Sequence, residues 1–402
     1  MTNKDSQNSI NIINKNIKVY YIIQILMVIA ITIPHAILTI ILLNKGILIN
    51  QIAIIQFFYN LAMLIFELPS GVISDRVSRK RTFMLSTVFL FMGFFLILKF
   101  DSFYILCIGW FSYGLSQALS TGTLDSDIIN NIKEYKKDYY KTFFRRSNYI
   151  GLIGSILGSG VGFFLYRMID INIYIISLIL ICFAFIIASL FYKSLDNEKI
   201  KVSRVSDFKE HLFSSLKEVR TNKITKYAIL SLIILQVYLQ FHFHYWQAIF
   251  LDIGIKEDYF YLSYLIFQLV NIFVYRIDLE DFQKSKLYIV FFISLLSIAL
   301  QLISYNNLLY IIFYLVVLFF FMLISYLSNY LLNKYVSKER ISSIVSFNST
   351  LQRLVASMSL LSFSFILKFL SLRMTLIVIS LIVIIAELFL TSRLVSLRKK
   401  AA

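Results

Sequence analysis

Cysteine, proline and tryptophan each occur only twice in 402 residues. Cys107 and Cys182 lie inside apolar runs with no His or Cys nearby, which excludes a disulfide framework and a thiolate metal site and assigns both to packing. With prolines only at 34 and 69, the chain has almost no helix breakers. Charge is also short, at 15% against 59% hydrophobic residues, too little to clothe a water-soluble domain of this length. The pattern Gly-x-x-x-x-Gly-Lys-Ser/Thr is absent, so ATP hydrolysis at a phosphate-binding loop is excluded. No catalytic residue, metal site or cofactor is expected, and the chain is not read as an enzyme.

What the chain has instead is apolar runs of about 20 residues from end to end, each long enough to cross the bilayer core. Twelve are expected: 18–43, 47–72, 82–99, 103–130, 143–167, 171–192, 227–251, 259–275, 287–304, 308–333, 341–369 and 373–393. Lipid offers backbone groups no partner, so all should be helices, and the fold class is an all-α membrane protein. The polar segment 1–18 shows no cleavable leader, so the first run is expected to persist as a span. Residues 193–226 are polar and basic and divide the chain into an amino-terminal six-helix bundle, 1–192, and a carboxy-terminal one, 227–402. Within that linker Phe208, Leu212, Leu216 and Val219 recur at helical spacing, which predicts an amphipathic helix on the membrane surface.

The formal charge of +17 has a topological reading. Of the 39 Lys and Arg, 32 fall in the termini and in every second loop, six in the other loops, and Arg353 lies inside a span. Basic residues collect on the cytoplasmic side, so both termini should be cytoplasmic. The charge then gives no reason to expect nucleic acid as a partner.

A short charged turn between two long apolar runs reads Glu67-Leu-Pro69-Ser-Gly71-Val-Ile-Ser-Asp75-Arg76-Val-Ser-Arg79-Lys80-Arg81. It resembles the signature after the second helix of the major facilitator superfamily, particularly its bacterial efflux-type members, and a worn copy stands at 280–286. Ser78 stands where the family has Gly. The resemblance, which covers the whole chain, implies a transporter in the plasma membrane working as a monomer on a small-molecule substrate, driven by a proton or other ion gradient. It implies a cytoplasmic latch of Gly71, Asp75, Arg76, Arg79 and Lys80, with Asp75 facing the start of span 11 and Arg76 or Arg79 meeting Asp125 or Asp127. Thr121-Gly122-Thr-Leu-Asp125 is similar to the family's fourth helix but lacks the Arg of many drug antiporters. Gly154-Ser-Ile-Leu-Gly158-Ser-Gly160-Val-Gly162 partly resembles the antiporter motif, with Ser159 for Pro and Phe163 for the last Gly. Gly154, Gly158 and Gly162 equally read as plain close packing of helices.

Polar groups within spans are costly and therefore informative. Glu67 shares a stripe with Gln56, Asn60 and Met63. Gln236, Gln240, His244 and Gln247 recur at intervals that put them on one face of span 7, as do Tyr264, Gln268 and Asn271 in span 8 and Trp110, Tyr113 and Gln117 in span 4. His35 follows Pro34, which should kink span 1. These are the expected cavity residues, and rings interleaved with amides fit a bulky, amphipathic, even cationic ligand. Proton-coupling candidates are Glu67, Asp125 and His244, each open to a purely structural role as an ion pair or hydrogen bond. His242 and Glu387 read as structural, and Asp127 as solvated. Efflux of amphipathic molecules, import of a small polar nutrient and a non-transporting receptor built on the same fold all remain open at this point.

Overall fold

The structure is a computed structural model that describes residues 3–121, 123–136, 139–194, 219, 221–279, 283–304, 306–336 and 341–401, with the side chains of 3–6, 8, 67–77, 141, 341–343, 346 and 399–401 outside the described ones. Among the described residues the regular elements are helices. In the first half they are α1 (Asn3–His35), α2 (Leu38–Asn44), α3 (Ile49–Val77), α4 (Arg79–Lys99), α5 (Phe103–Ser120), α6 (Leu124–Tyr135), α7 (Tyr140–Ile169) and α8 (Ile173–Phe191). In the second half they are α9 (Lys223–Asp252), α10 (Phe260–Tyr275), α11 (Lys284–Ile303), α12 (Asn307–Tyr335), α13 (Ile341–Ile366) and α14 (Leu372–Ala401). Eight stretches among the described residues are long and apolar enough to cross a bilayer, one of them the 50 residues of α7 and α8 together. The remaining helices of span length carry more polar groups, as in the Asn348, Gln352 and Arg353 of α13.

Several helices depart from the expected spans. Pro34 ends α1 rather than bending it, and Ile37 N–H closes the break by donating to the Pro34 carbonyl at 3.2 Å. The run 103–130 is two helices, α5 and α6, because Thr121 and Thr123 both leave helical geometry. At its start α1 reaches back into the polar segment, where Ile13 and Ile17 are buried with Phe83, Leu124, Ile128 and Phe143. The expected linker helix at 208–219 falls almost wholly, and the worn motif copy partly, outside the described residues.

The helices gather into two compact units, one of Met1–Ile47 with Phe58–Ser203, the other of Leu48–Phe57 with Arg204–Ala402. In the first, α1 packs on α7 and α8, and α4 on α5 and α8. In the second, α9 packs on α12, α13 and α14. The two repeat a device at matching places. Gly46 after α2 and Gly254 after α9 both take positive φ, 76° and 85°, and each is followed by an amide that reaches back five residues, Ile47 to Leu42 and Ile255 to Phe250. This closure satisfies carbonyls at a helix end and needs a residue without Cβ. Asn222 and Asn306 likewise cap α9 and α12 by accepting from two backbone N–H groups each.

Ion pairs hold turns within each unit. Lys45 Nζ lies 2.6 Å from an Asp101 carboxylate oxygen and also donates to the Phe100 carbonyl, while Arg373 Nε lies 2.7 Å from Asp252. Two of the six basic residues on the expected lean face are thus neutralised locally.

Candidate functional site

The second unit contains a row of amides. Gln236, Gln240 and His244 stand one turn apart on α9, a spacing that puts them on one face. Gln236 Nε2 donates to Gln352 Oε1 of α13 at 2.7 Å, Gln240 Nε2 to Gln236 Oε1 at 3.3 Å, and His244 Nε2 lies 3.1 Å from Gln240 Oε1. A carboxamide oxygen only accepts, so His244 carries its proton on Nε2 and the row has a single direction, His244 to Gln240 to Gln236 to Gln352. Each carboxamide has two donors and two lone pairs. The row uses one of each on Gln236 and Gln240, which leaves further capacity on half-buried side chains. Gln247, on the same stripe, is buried.

Another face of α9 is filled with rings. His242, two residues from both Gln240 and His244 and so far around the helix from them, is buried and meets the Tyr314 hydroxyl of α12 at 2.5 Å. Phe267 of α10 packs on both His242 and Trp246, with ring centroids 5.0 Å away in each case. On α10, Tyr264 and Gln268 share a side-chain hydrogen bond and Asn271 is half-buried.

In the first unit the structure brings His35, Trp110 and Tyr113 into the wall of one small cavity, with Phe94 and Tyr174. Its free space of about 10 Å³ is at the threshold for a single water. Tyr113 is fixed by edge and tilted contacts to Phe94 and Tyr59 at 5.4 and 5.0 Å. Trp110 and Asn60 are buried, and Gln117 is half-buried one turn beyond Tyr113. Gln56, on the stretch of α3 that falls in the second unit, is buried as well.

At the other end of the first unit lie the charged groups. α6 is amphipathic, with Leu124, Asp127, Ile128, Asn131 and Ile132 on its buried face. Asp127 is therefore turned inward rather than solvated, and it accepts the Tyr192 hydroxyl at 2.7 Å. Burial and the Asp127 carboxylate hold that phenol well above its ordinary pKa, so it stays a donor. Asp125, half-buried in the first turn of α6, has its carboxyl pushed up by burial and partly pulled back by backbone N–H groups and by Arg79. Arg79 lies against α6, where the Asn130 carboxamide, assigned with its oxygen toward the guanidinium, accepts from it at 2.8 and 3.1 Å. Lys80 Nζ donates to the Ser189 and Tyr192 carbonyls, closing the end of α8. Arg146 is exposed and donates to the Tyr139 hydroxyl. Gly122 and the side chains of Glu67, Asp75 and Arg76, with residue 71 among them, lie outside the described residues. Gly154 and Gly158 back onto α1, where an added Cβ would meet Val28 at 3.0 Å and Thr32 at 2.8 Å, and Gly162 is buried.

Other residues in these clusters carry little sequence signal, apart from Glu387, which stands out as a charge inside an apolar run. Gln352 was legible only through its own stripe, one turn from the buried Asn348. Glu387 of α14 is fully buried and accepts from Ser231 Oγ at 2.7 Å, and Ser231 meets Ser328 at 2.8 Å, so three helices share one polar knot. Asn16 is buried and clamps Lys193, accepting from its N–H and donating to its carbonyl.

The sequence profile of the Major Facilitator Superfamily matches residues 20–360. No curated protein matches by sequence. Among solved structures, a point mutant of the nucleoside transporter NupG superposes with a TM-score of 0.70 at 11% identity, covering 93% of this chain and 99% of that one. The POT family transporter PepTSo gives 0.68 at 12% identity, with 94% and 97% covered. A bacterial homolog of the human lysosomal transporter Spinster, inward-facing and unoccupied, gives 0.66 at 11% identity, with 96% and 95% covered. At these identities the likeness is one of fold.

Proposed function

The chain belongs to the major facilitator superfamily, and from that premise we propose that it is a secondary transporter that exports amphipathic small molecules in exchange for protons by alternating access. Its fold is that of membrane transporters rather than of an enzyme. Twelve spans in the plasma membrane with both termini in the cytoplasm belong to the same proposal, in keeping with the lopsided placing of Lys and Arg.

The observation that carries the substrate reading is the amide row from His244 to Gln352, half-buried on a unit whose other α9 face is packed with rings. Amides with spare donors and acceptors beside aromatic surface suit a ligand that is part polar and part apolar. The coupling reading rests on Asp125, a half-buried carboxyl raised by burial and within the field of Arg79. Its protonation weakens the attraction of Arg79 and biases one of two conformations, and the same part is proposed for Glu67 from its place in the sequence. Proton-driven dye transport in everted vesicles tests this with Asp125→Asn and Glu67→Gln. Coupling should fall in at least one variant, and full coupling in both would overturn the assignment.

A second reading, import of a small polar nutrient, is favoured by the amide row taken alone, because carboxamides pair with the donor and acceptor edges of solutes such as nucleosides, which one of the structurally similar proteins carries. Accumulation inside right-side-out vesicles in place of extrusion separates the two. A receptor built on the same fold would show no substrate flux in proteoliposomes.

A further inference from the structure

The surface between α4 and α8 carries an open apolar groove of about 280 Å³, walled by Val88 and Phe91 on one helix and by Ile181, Cys182, Phe185 and Ile186 on the other. Cys182 is thus not in the core but exposed along this groove. Val88 and Ile186 are each about half exposed, at 50% and 47%, so the groove opens outward. In a membrane-spanning chain that side faces lipid.

One end of the groove is basic. Lys80 and Arg81 precede Thr87 and Val88 by seven residues, two helical turns, and so stand on the same face of α4 as the groove wall. Lys80 is held against the last turn of α8 through Ser189 and Tyr192. Lys15 reaches the same turn from α1, with Nζ 5.9 Å from the centre of the Phe191 ring, and the exposed Lys193 follows directly. Among the described residues the carboxylate contact at this turn is Asp127, drawn inward behind the Tyr192 hydroxyl, while the described Lys15, Arg81 and Lys193 are exposed. From Lys80 to Phe91 the rise is about 16 Å, close to one leaflet's half of a hydrocarbon core of roughly 30 Å.

We propose that this groove holds an acyl chain of an anionic phospholipid whose phosphate is met by Arg81 and Lys15 beside Lys80 at the end of α8. An ammonium has three donors, and Lys80 gives two to carbonyls, so its third is available to a phosphate oxygen. Arg81 supplies the planar fork that matches phosphate geometry. Such a lipid site is independent of which substrate the transporter moves and in which direction.

The test is native mass spectrometry of the full-length protein in detergent, titrated with dioleoyl-phosphatidylglycerol and, separately, with dioleoyl-phosphatidylcholine. The first phosphatidylglycerol should bind more tightly than the first phosphatidylcholine. Arg81→Gln and Lys15→Gln should each weaken it about fivefold, and Val88→Trp or Ile186→Trp, which fill the groove without touching charge, should weaken it as well. Ile156→Trp, on the exposed surface of α7, should leave it unchanged, and glycerol 3-phosphate should not compete. Equal affinity for the two lipids, indifference to the charge variants, indifference to the groove variants, or competition by glycerol 3-phosphate would each overturn the proposal.

Discussion

Replacing Gly114 by alanine is the most direct probe of how the first unit holds its aromatic wall. Gly114 of α5 faces the backbone of α3, and a Cβ built on it would lie 2.2 Å from the Tyr59 carbonyl oxygen and 3.0 Å from the Ala62 Cβ. Ordinary carbon-to-oxygen contact begins at about 3.3 Å, so the helices must separate by about 1 Å. The obstacle is backbone, which cannot swing aside as a side chain can. Overpacking of this kind costs about 1–3 kcal/mol, and the better helix propensity of alanine returns less than about 1 kcal/mol. The net loss should be about 1–2 kcal/mol. The same shift would carry Tyr113, the next residue, away from Tyr59 and so disturb the cavity of His35 and Trp110. Gly158→Ala, whose Cβ would meet Thr32 Cβ at 2.8 Å and Ile29 O at 3.1 Å, should lose less, and Gly160→Ala, with nothing within 4 Å, should be neutral or slightly stabilising. Heating the purified protein and measuring the monodisperse fraction by size exclusion gives the order of melting, with Gly114→Ala lowest and Gly160→Ala highest. A Gly114→Ala protein that melts with or above wild type would refute the close approach of α3 and α5.

Three further outcomes follow from the polar clusters. Gln236→Leu removes the middle of the amide row and two hydrogen bonds, each worth about 0.6 to 1.7 kcal/mol in a membrane protein, so thermal stability should drop by about 1–3 kcal/mol, and in a transport assay KM should rise more than the maximal rate falls. Glu387→Gln keeps an acceptor for Ser231 and should change stability by less than about 1 kcal/mol, whereas Glu387→Ala opens a cavity in the knot of α9, α12 and α14 and should cost about 2–4 kcal/mol by the same melting assay. Asp125 has a carboxyl raised by burial, so the folded state binds a proton more readily than the unfolded chain; its contribution to wild-type stability should be full below the unfolded pKa, be lost as pH rises to the folded pKa, and stay level at its lowest above it. Asp125→Asn removes that penalty and should melt above wild type at neutral pH, with the two melting curves converging under acid conditions.

The helical, membrane-spanning character was legible because lipid forces apolar runs of fixed length, and no tertiary contact is needed to read them. The α9 row was legible too, since Gln236, Gln240 and His244 announce one face by spacing alone. Its partner was not, because Gln352 sits 116 residues away and only packing of α9 on α13 joins them. The inward turn of Asp127 depended on α6 being a separate amphipathic helix, and the continuous reading of 103–130 concealed that break. The helical start of α1 was likewise hidden by polar Asn and Lys around Ile13 and Ile17, whose spacing of four was the available sign. The Asn16 clamp on Lys193 has no sequence signature, being a contact between residues 177 apart.

Substrate movement driven by a proton gradient is tested most directly by the flux of a fluorescent amphipathic cation in proteoliposomes of the purified full-length protein, with the pH gradient imposed and then collapsed by an ionophore. Dye should move against the direction of proton flow, accompanied by proton release that depends on the dye and is abolished by the ionophore. Dye distribution identical to that of protein-free liposomes, or flux unchanged when the gradient is collapsed, would contradict proton-coupled export.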